Sequence, residues 1–409
     1  MNIVLINHYA GSLRHGMEFR SYYLAREWAR TGHRVAILAA SYSHLRSHQP
    51  GLDGQAIRDE VIDSIAYRWY RTPEYRGNGP GRVKNMLAFL YAIWRDARYI
   101  AQAMKPDVVI ASSTYPMDIW PARRIARLAG AKLVYEVHDL WPLTPIELGG
   151  IPKWHPFILW VQWAENYAYR RADIVVSMLP NTLEYMVSKG LNSSKWHYVP
   201  NGVDESEWRN FDPLPDKVAA ELNRVRGSGL PIVGYAGSHG LANALDTLLD
   251  AAKSMQSKAE VVMVGTGPER ERLMQRVRDE NIRNITMLTA IPKSAIPTFL
   301  DKIDIAFIGL QQQRLFRFGI APNKLMDYMM AKKPIVMAIE AGNDPVTEAG
   351  CGRTVPPEDP AAIRHAVLDL ARLSPKQRAS LGERGRAFVL ENHLYPVLAK
   401  RFIEAISGA

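Results

Sequence analysis

Three observations on the 409-residue chain predict two α/β domains, each a parallel sheet covered by helices on both faces. Short runs rich in Val and Ile, apolar at nearly every position, alternate with segments of helical spacing, as strands buried on both faces require. The alternation pauses once, in "PNGVDESEWRNFDPLPD" at 200–216, a stretch dense in Pro, Asp and Asn that reads as a linker, and then begins again. The length also exceeds one ordinary core of about 100 to 200 residues.

The elements follow in order. "NIVLINHY" is a first strand; "MEFRSYYLAREWARTGH" sets Tyr22, Ala25 and Ala29 at helical spacing, and "RVAILAA" completes a β-α-β unit. "DVVIA" (107–111), "KLVYEV" (132–137), "ADIVVSML" (172–179) and "WHYVP" (196–200) continue the series. After the linker, "PIVGYAG" is a strand and "LANALDTLLDAAKSM" a helix with Leu245, Leu248, Leu249, Ala252 and Met255 on one face. Strands at "AEVVMVG", "NITML", "DIAFIGL" and "RTV" then alternate with helices at "PERERLMQRVRDEN", "SAIPTFLDKI" and "DPAAIRHAVLDLARL". The expected division is 1–200, 201–389, and a closing helix over about 390–409 that returns to the first domain. No internal repeat or low-complexity segment is visible.

Composition bounds the chemistry. A formal charge of +10 implies attraction to an anion, whether nucleic acid, an acidic membrane surface or a phosphorylated small molecule. One cysteine, Cys351, excludes an internal disulfide and any multi-cysteine metal cluster. No apolar stretch approaches the roughly 18 residues of a spanning helix, and no export signal opens the chain, so a cytoplasmic location is expected.

Open α/β sheets bind ligands beyond the carboxyl ends of their strands, so two such domains are expected to face a central cleft. Three glycine-bearing loops follow strands: "NHYAGSLRHG", holding Gly11 and Ser12; "GYAGSHG", holding Gly237, Ser238, His239 and Gly240; and "VGTGPE", holding Gly265. None has the dinucleotide or P-loop spacing, which argues against a nicotinamide enzyme or a P-loop NTPase; tight turns explain each loop taken alone equally well. In "FRFGIAPNKLMDYMMAKKPIVMAI", Pro322 and Asn323 mark a helix start, yet Lys324 places a cation in the first turn, where the dipole is already positive. A phosphate there would remove the conflict, gathering the ammonium and nearby N–H groups on one anion, with Asp327 three residues on to accept from a sugar diol. The alternative is a Lys324 to Asp327 surface pair in the less favourable order. His138, after "KLVYEV", stands at a carboxyl edge, where an imidazole serves either a structural carbonyl or a substrate. No H-E-x-x-H, clustered Cys and His, D-x-D pair or G-x-S-x-G elbow is present.

Together these motifs resemble family 4 glycosyltransferases of the two-domain GT-B fold, and within them the subgroup that builds bacterial O-antigen and capsule chains. The carriers are "NHYAGSLRHGMEFRSYYLAREWARTGHRV", "YEVHDLWP", "VPNGVD", "GYAGSHGLANALDTLLDAA", "VMVGTGPER" and above all "GIAPNKLMDYMMAKKPIV", in that order over nearly the whole chain. The resemblance implies two Rossmann-like domains and transfer of a sugar from a nucleotide donor, a UDP-sugar with N-acetylated hexosamines among the candidates, with retention and without a metal or other cofactor. It assigns Lys324 to the diphosphate with Asn323 beside it, Asp327 to the ribose, His138 to the donor sugar, Ala290 and Ile291 to the base, and Gly11 and Ser12 to the phosphates. Two departures are visible. The first acid of the family's paired-acid element falls on Gly319, and the basic pair after the "GYAG" strand is replaced by Ser238 and a neutral stretch with Ala244, which leaves the diphosphate to Lys324, helix N-termini and Arg317. No dedicated base is evident; the departing phosphate takes the acceptor's proton, or Glu18 does.

"GRVKNMLAFLYAIWRDARYIAQAMK" and "IPKWHPFILWVQWAENY" mix basic and aromatic residues, the composition of helices that lie on an anionic leaflet and also of helices packed on a sheet. The resemblance implies a polyprenyl-diphosphate-linked saccharide acceptor and peripheral attachment to the inner face of the cytoplasmic membrane. A nucleotide-sugar epimerase of the same architecture is the competing enzyme class. Nucleic acid is not an expected partner, because no recognition motif accompanies the charge.

Overall fold

The computed structural model describes residues 1–16, 19–77, 79–209 and 211–408. The chain divides into two compact units, Met1–Asn201 with Tyr395–Ala409, and Gly202–Leu394.

The first unit runs β1 (Asn2–Ile6), α1 (Phe19–Arg30), β2 (Arg34–Ala40), β3 (Ile57–Ile62), β4 (Ile65–Tyr70), α2 (Pro80–Met104), β5 (Val108–Ala111), α3 (Ile119–Ala129), β6 (Lys132–Val137), α4 (Leu143–Glu147), α5 (Pro156–Arg171), β7 (Ile174–Ser177), α6 (Leu183–Ser188) and β8 (Trp196–Tyr198). Its sheet has the order β3-β4-β2-β1-β5-β6-β7-β8. All neighbours pair in parallel except β3 with β4. The sheet is parallel as expected, and the antiparallel β3–β4 pair is added at its edge. Asp63 and Ser64 hold φ of 50° and 68°, and two successive positive φ values make the tight hairpin turn that matches strand twist. β3 is only partly buried, with Asp59 and Val61 exposed, so it lacks the continuous apolar run that marks the inner strands.

The second unit runs α7 (Asp216–Arg226), β9 (Ile232–Ala236), α8 (Leu245–Lys253), β10 (Glu260–Val264), α9 (Arg270–Asp279), β11 (Ile285–Leu288), α10 (Ile296–Asp301), β12 (Ile305–Gly309), α11 (Asn323–Met330), β13 (Ile335–Ala338), α12 (Pro345–Glu348), β14 (Gly352–Val355), α13 (Pro360–Arg372) and α14 (Pro375–Asn392). Its sheet, β11-β10-β9-β12-β13-β14, is parallel throughout, with buried strand and helix side chains filling both faces. Local chemistry sets the ends of the helices. Ser374 and Gln377 form a capping box ahead of α14, Asp359 caps α13, and proline occupies the first turn of both, where its missing N–H costs nothing.

The last helix, α15 (Tyr395–Ser407), belongs to the first unit. Trp28 Nε1 donates to Ala399 O at 3.2 Å, and the Trp28 and Phe402 rings lie 5.2 Å apart, so α1 and α15 share one core.

Candidate active site

In the second unit the loops after β9 and β10 lie against each other. Gly237 N donates to Val264 O at 3.0 Å, His239 N to Thr266 O at 2.8 Å, and Glu269 N to His239 O at 3.0 Å. Glycine makes the approach possible, since a Cβ at Gly265 would come within 1.9 Å of Gly237 O.

Lys324, in the first turn of α11, reaches into this pair of loops. Its Nζ donates to Asn243 Oδ1 at 2.6 Å and Tyr235 Oη at 3.1 Å, and stands 4.8 Å from the Tyr235 ring centroid. Tyr235 Oη in turn donates to Ser238 O at 2.6 Å, and Asn243 Nδ2 to the same oxygen at 3.1 Å. Among the described residues no carboxylate pairs with Lys324, and burial pushes its pKa down to about 8. No side chain caps α11. The result is a part-buried ammonium at a helix N-terminus with neutral partners only, an arrangement suited to an anion.

Beside it, His239 is fully buried with neither ring nitrogen hydrogen-bonded. Burial, then Arg270 and Lys324, lower its pKa to about 4, so the imidazole is neutral at pH 7 and offers one donor and one acceptor. Asp327 is half-buried, and burial raises its carboxyl to about 7 against the pull of Lys293. The surface pair with Lys324 does not form, because the ammonium turns to Tyr235 and Asn243 instead.

The remaining predicted positions of this unit lie in the segments that follow β9, β11 and β12. Gly240 follows His239 and precedes the short turn Leu241–Asn243; Ala290 is exposed and Ile291 half-buried just after β11. Asn323, exposed, is the first residue of α11. Arg317 is exposed, 4.3 Å over the Phe318 ring, in a separate 450 Å3 hollow with Gln312, Gln313, Arg314 and Glu340. Gly319, where an acid was expected by resemblance, has φ of 104°, a conformation that penalises any side chain.

In the first unit His138 follows β6. Its Nε2 lies 3.0 Å from Ser112 Oγ and 3.2 Å from Glu136 Oε2, while Ser112 Oγ donates to Glu136 Oε2 at 2.6 Å. Arg20 fixes the other carboxylate oxygen through Nε at 3.0 Å and Nη2 at 2.9 Å. Burial opposes the charge on Glu136, yet Arg20 and His138 hold its carboxyl well below the usual range. An ionised, immobilised Glu136 orients the imidazole and favours a proton on Nε2. Gly11 and Ser12 are buried: Tyr67 Oη donates to Gly11 O at 2.8 Å, and Ser12 Oγ lies 2.9 Å from His15 Nδ1, so this hydroxyl faces its own loop. Glu18 lies outside the described residues.

Sequence reasoning passed over Tyr235, Asn243, Ser112, Glu136 and Arg20. Asn243 was hidden by reading "LANALDTLLDAAKSM" as one helix; Ala244, at φ 49°, separates the Leu241–Asn243 turn from α8 and frees the asparagine to reach Lys324. Glu136 carried a signal, since an acid inside a buried parallel strand must be paired.

Known proteins with related sequences were found for both units. Residues 14–207 match the family described as Glycosyltransferase Family 4, and residues 230–372 match Glycosyl transferases group 1. The probable glycosyltransferase WbjE of Pseudomonas aeruginosa is 22% identical over 351 residues, 84% of each chain. Among solved structures, Anabaena Alr3699/HepE in complex with UDP and glucose superimposes with a TM-score of 0.67 at 14% identity over 100% of both chains. The E. coli trehalose-6-phosphate protein bound with UDP-2-fluoro glucose gives a TM-score of 0.71 at 13% identity over 100% of this chain and 99% of that one. WaaG, a glycosyltransferase of lipopolysaccharide biosynthesis, gives 0.66 at 13% identity over 100% of both.

Proposed function

The chain belongs to glycosyltransferase family 4 and has the GT-B fold, and from that premise we propose a retaining, metal-independent hexosyltransferase that moves a sugar from a UDP-sugar donor, N-acetylated hexosamines among the candidates, to a polyprenyl-diphosphate-linked saccharide in surface polysaccharide synthesis. The observation that carries the nucleotide half of this reading is Lys324: a part-buried ammonium with neutral partners, at an uncapped helix N-terminus, beside glycine loops and an unpartnered neutral histidine.

In this reading the donor diphosphate takes the place of the missing counter-charge. As the glycosidic bond breaks, positive charge develops on the sugar and negative charge on the departing diphosphate. Fixed donors aimed at that charge lower the barrier as an oxyanion hole does. Lys324 Nζ is the principal donor, with the His239 ring N–H and first-turn N–H groups of α11 beside it, while Arg317, the second cation expected there, lies in its separate hollow. Asp327 accepts from the ribose hydroxyls, and its pKa of about 7 leaves a fraction protonated at neutral pH. Ala290 and Ile291 hold the base through their backbone. His138, oriented by Glu136 and Ser112, is assigned to the donor sugar. The departing phosphate accepts the acceptor's proton, with Glu18 the other candidate base. The aromatic and basic composition of α2 and α5 supports attachment to an anionic leaflet in this reading; among the described residues no helix is long and apolar enough to cross a membrane.

A thermal-shift titration of wild type and Lys324→Ala with UDP, GDP, ADP and dTDP tests the reading. Ligand at a hundredfold excess over its Kd adds about 2.7 kcal/mol of stability. UDP is expected to raise the melting temperature of wild type and not of the variant; the same shift in both, or in neither, rejects the Lys324 site.

A further inference from the structure

One cavity of the first unit is unused by the chemistry above. α2, α3 and α5 enclose an open trough of about 840 Å3 whose lining includes Trp94, Trp120, Trp160 and Trp163 together with Leu87 and Leu90. The Trp120 ring lies 5.9 Å from Trp160 and 4.9 Å from Trp163, yet Trp94 and Trp163 remain 42% and 59% exposed. Arg98, Arg123, Arg124 and Arg127 also line it, and no acidic residue does. The Arg124 guanidinium stands 4.7 Å over Trp94 with its Nε buried and without a hydrogen bond, and Arg123 donates to the Tyr167 hydroxyl at 2.9 Å. Among the described residues none of these four arginines forms an ion pair, and α3 (IWPARRIARLA) contains no acid that could supply one.

An apolar trough of this size left in water is unfavourable, and its charge pattern selects the occupant. A second copy of this face would set two arginine rims against each other without a carboxylate between them. A lipid leaflet satisfies both halves. Tryptophan keeps an apolar body in contact with chains and a polar tip at the headgroup level, while arginine stems lie along apolar surface and deliver the guanidinium to phosphate. We propose that this trough docks the protein on the membrane by taking one hydrocarbon chain of an anionic phospholipid, with the lipid phosphate held by the rim arginines. The inference rests on the membrane-facing part of the proposed function and gives it a location. Trp120 stands at the start of α3, which follows the carboxyl end of β5; there Ser112 meets His138, so docking brings lipid-borne sugars to that side of the sheet.

The test uses mixed phosphatidylglycerol and phosphatidylcholine vesicles, with pure phosphatidylcholine as control and lipids brominated along the acyl chain as tryptophan quenchers. Wild type is expected to bind the anionic vesicles and to be quenched by the brominated chains. Trp163→Ala weakens partitioning by about tenfold and Arg98→Ala and Arg127→Ala by about fivefold each. Trp163→Phe binds but loses part of the quenching. An unchanged UDP-induced thermal shift in every variant certifies its folding. Binding that none of these substitutions weakens, binding without quenching, or lipid-free dimerisation that Trp163→Ala abolishes overturns the trough as the docking site. Failure to bind any vesicle rejects the membrane part of the proposed function as well, and leaves the nucleotide part to the UDP titration.

Discussion

Replacing Lys324 with methionine should make the empty protein more stable and unable to hold a nucleotide. Burial lowers the lysine pKa from 10.5 to about 8. The difference, 10.5 minus 8, at about 1.36 kcal/mol per unit is a cost of about 3 kcal/mol for keeping the ammonium charged at pH 7. Methionine removes that cost and keeps most of the stem's volume. Against this gain, Asn243 Oδ1 loses its donor, while Tyr235 still donates to Ser238 O, a loss of about 1–2 kcal/mol. The expected net is about 1 kcal/mol of stabilisation. The sign with pH follows from proton counts. Between about pH 8 and 10.5 the unfolded chain binds more protons at this position than the folded one, so wild-type stability rises with pH across that window. The penalty is complete below about 8 and gone above 10.5, so the variant's advantage shrinks over the same interval and reverses. Ligand-free urea denaturation of both proteins at about pH 7 and pH 10 measures it. A variant less stable than wild type by more than about 1 kcal/mol at pH 7, or a difference independent of pH, refutes the reasoning.

Three further outcomes are expected. UDP affinity of the wild type, measured by calorimetry, should fall about tenfold between about pH 7 and pH 9 as Lys324 loses its proton, whereas Lys324→Arg should be nearly flat; parallel profiles would contradict this. Glu136→Gln leaves the Arg20 guanidinium buried without its counter-charge and should cost about 3–5 kcal/mol in urea denaturation, and a loss below about 1 kcal/mol would show that the pair is relaxed. Gly265→Ala forces the loops after β9 and β10 apart and should cost about 1–3 kcal/mol while weakening UDP binding, with unchanged UDP affinity the contrary result.

The parts of the fold legible in sequence are those buried on both faces. β2 and β6 coincide with "RVAILAA" and "KLVYEV" because a central parallel strand must be apolar throughout and its ends are set by charged or polar flanks. The β3–β4 hairpin escaped notice because β3 is only partly buried and its turn uses Asp63 and Ser64 in place of the usual Asn-Gly. Lys324 was legible because a cation in the first turn of a helix conflicts with local electrostatics and so needs a reason. Its partners were not, since Tyr235 and Asn243 lie far off in sequence and nothing local distinguishes them. The same distance hid the Arg20–Glu136 pair, and the α3 arginines of the trough, Arg123, Arg124 and Arg127, drew no attention because no motif marks "IWPARRIARLA" in the sequence.

The central claim is glycosyl transfer from a nucleotide sugar, and one measurement bears on it most directly. Purified protein is incubated with labelled UDP-sugars, with and without a polyprenyl-diphosphate-linked saccharide, and the products are separated by solvent extraction and identified by mass spectrometry and NMR. The account predicts label in the lipid-linked product only when the acceptor is present, release of UDP in equal amount, and the donor's anomeric configuration retained in the new bond. Interconversion of the free sugar nucleotide without acceptor, or an inverted linkage, would contradict it.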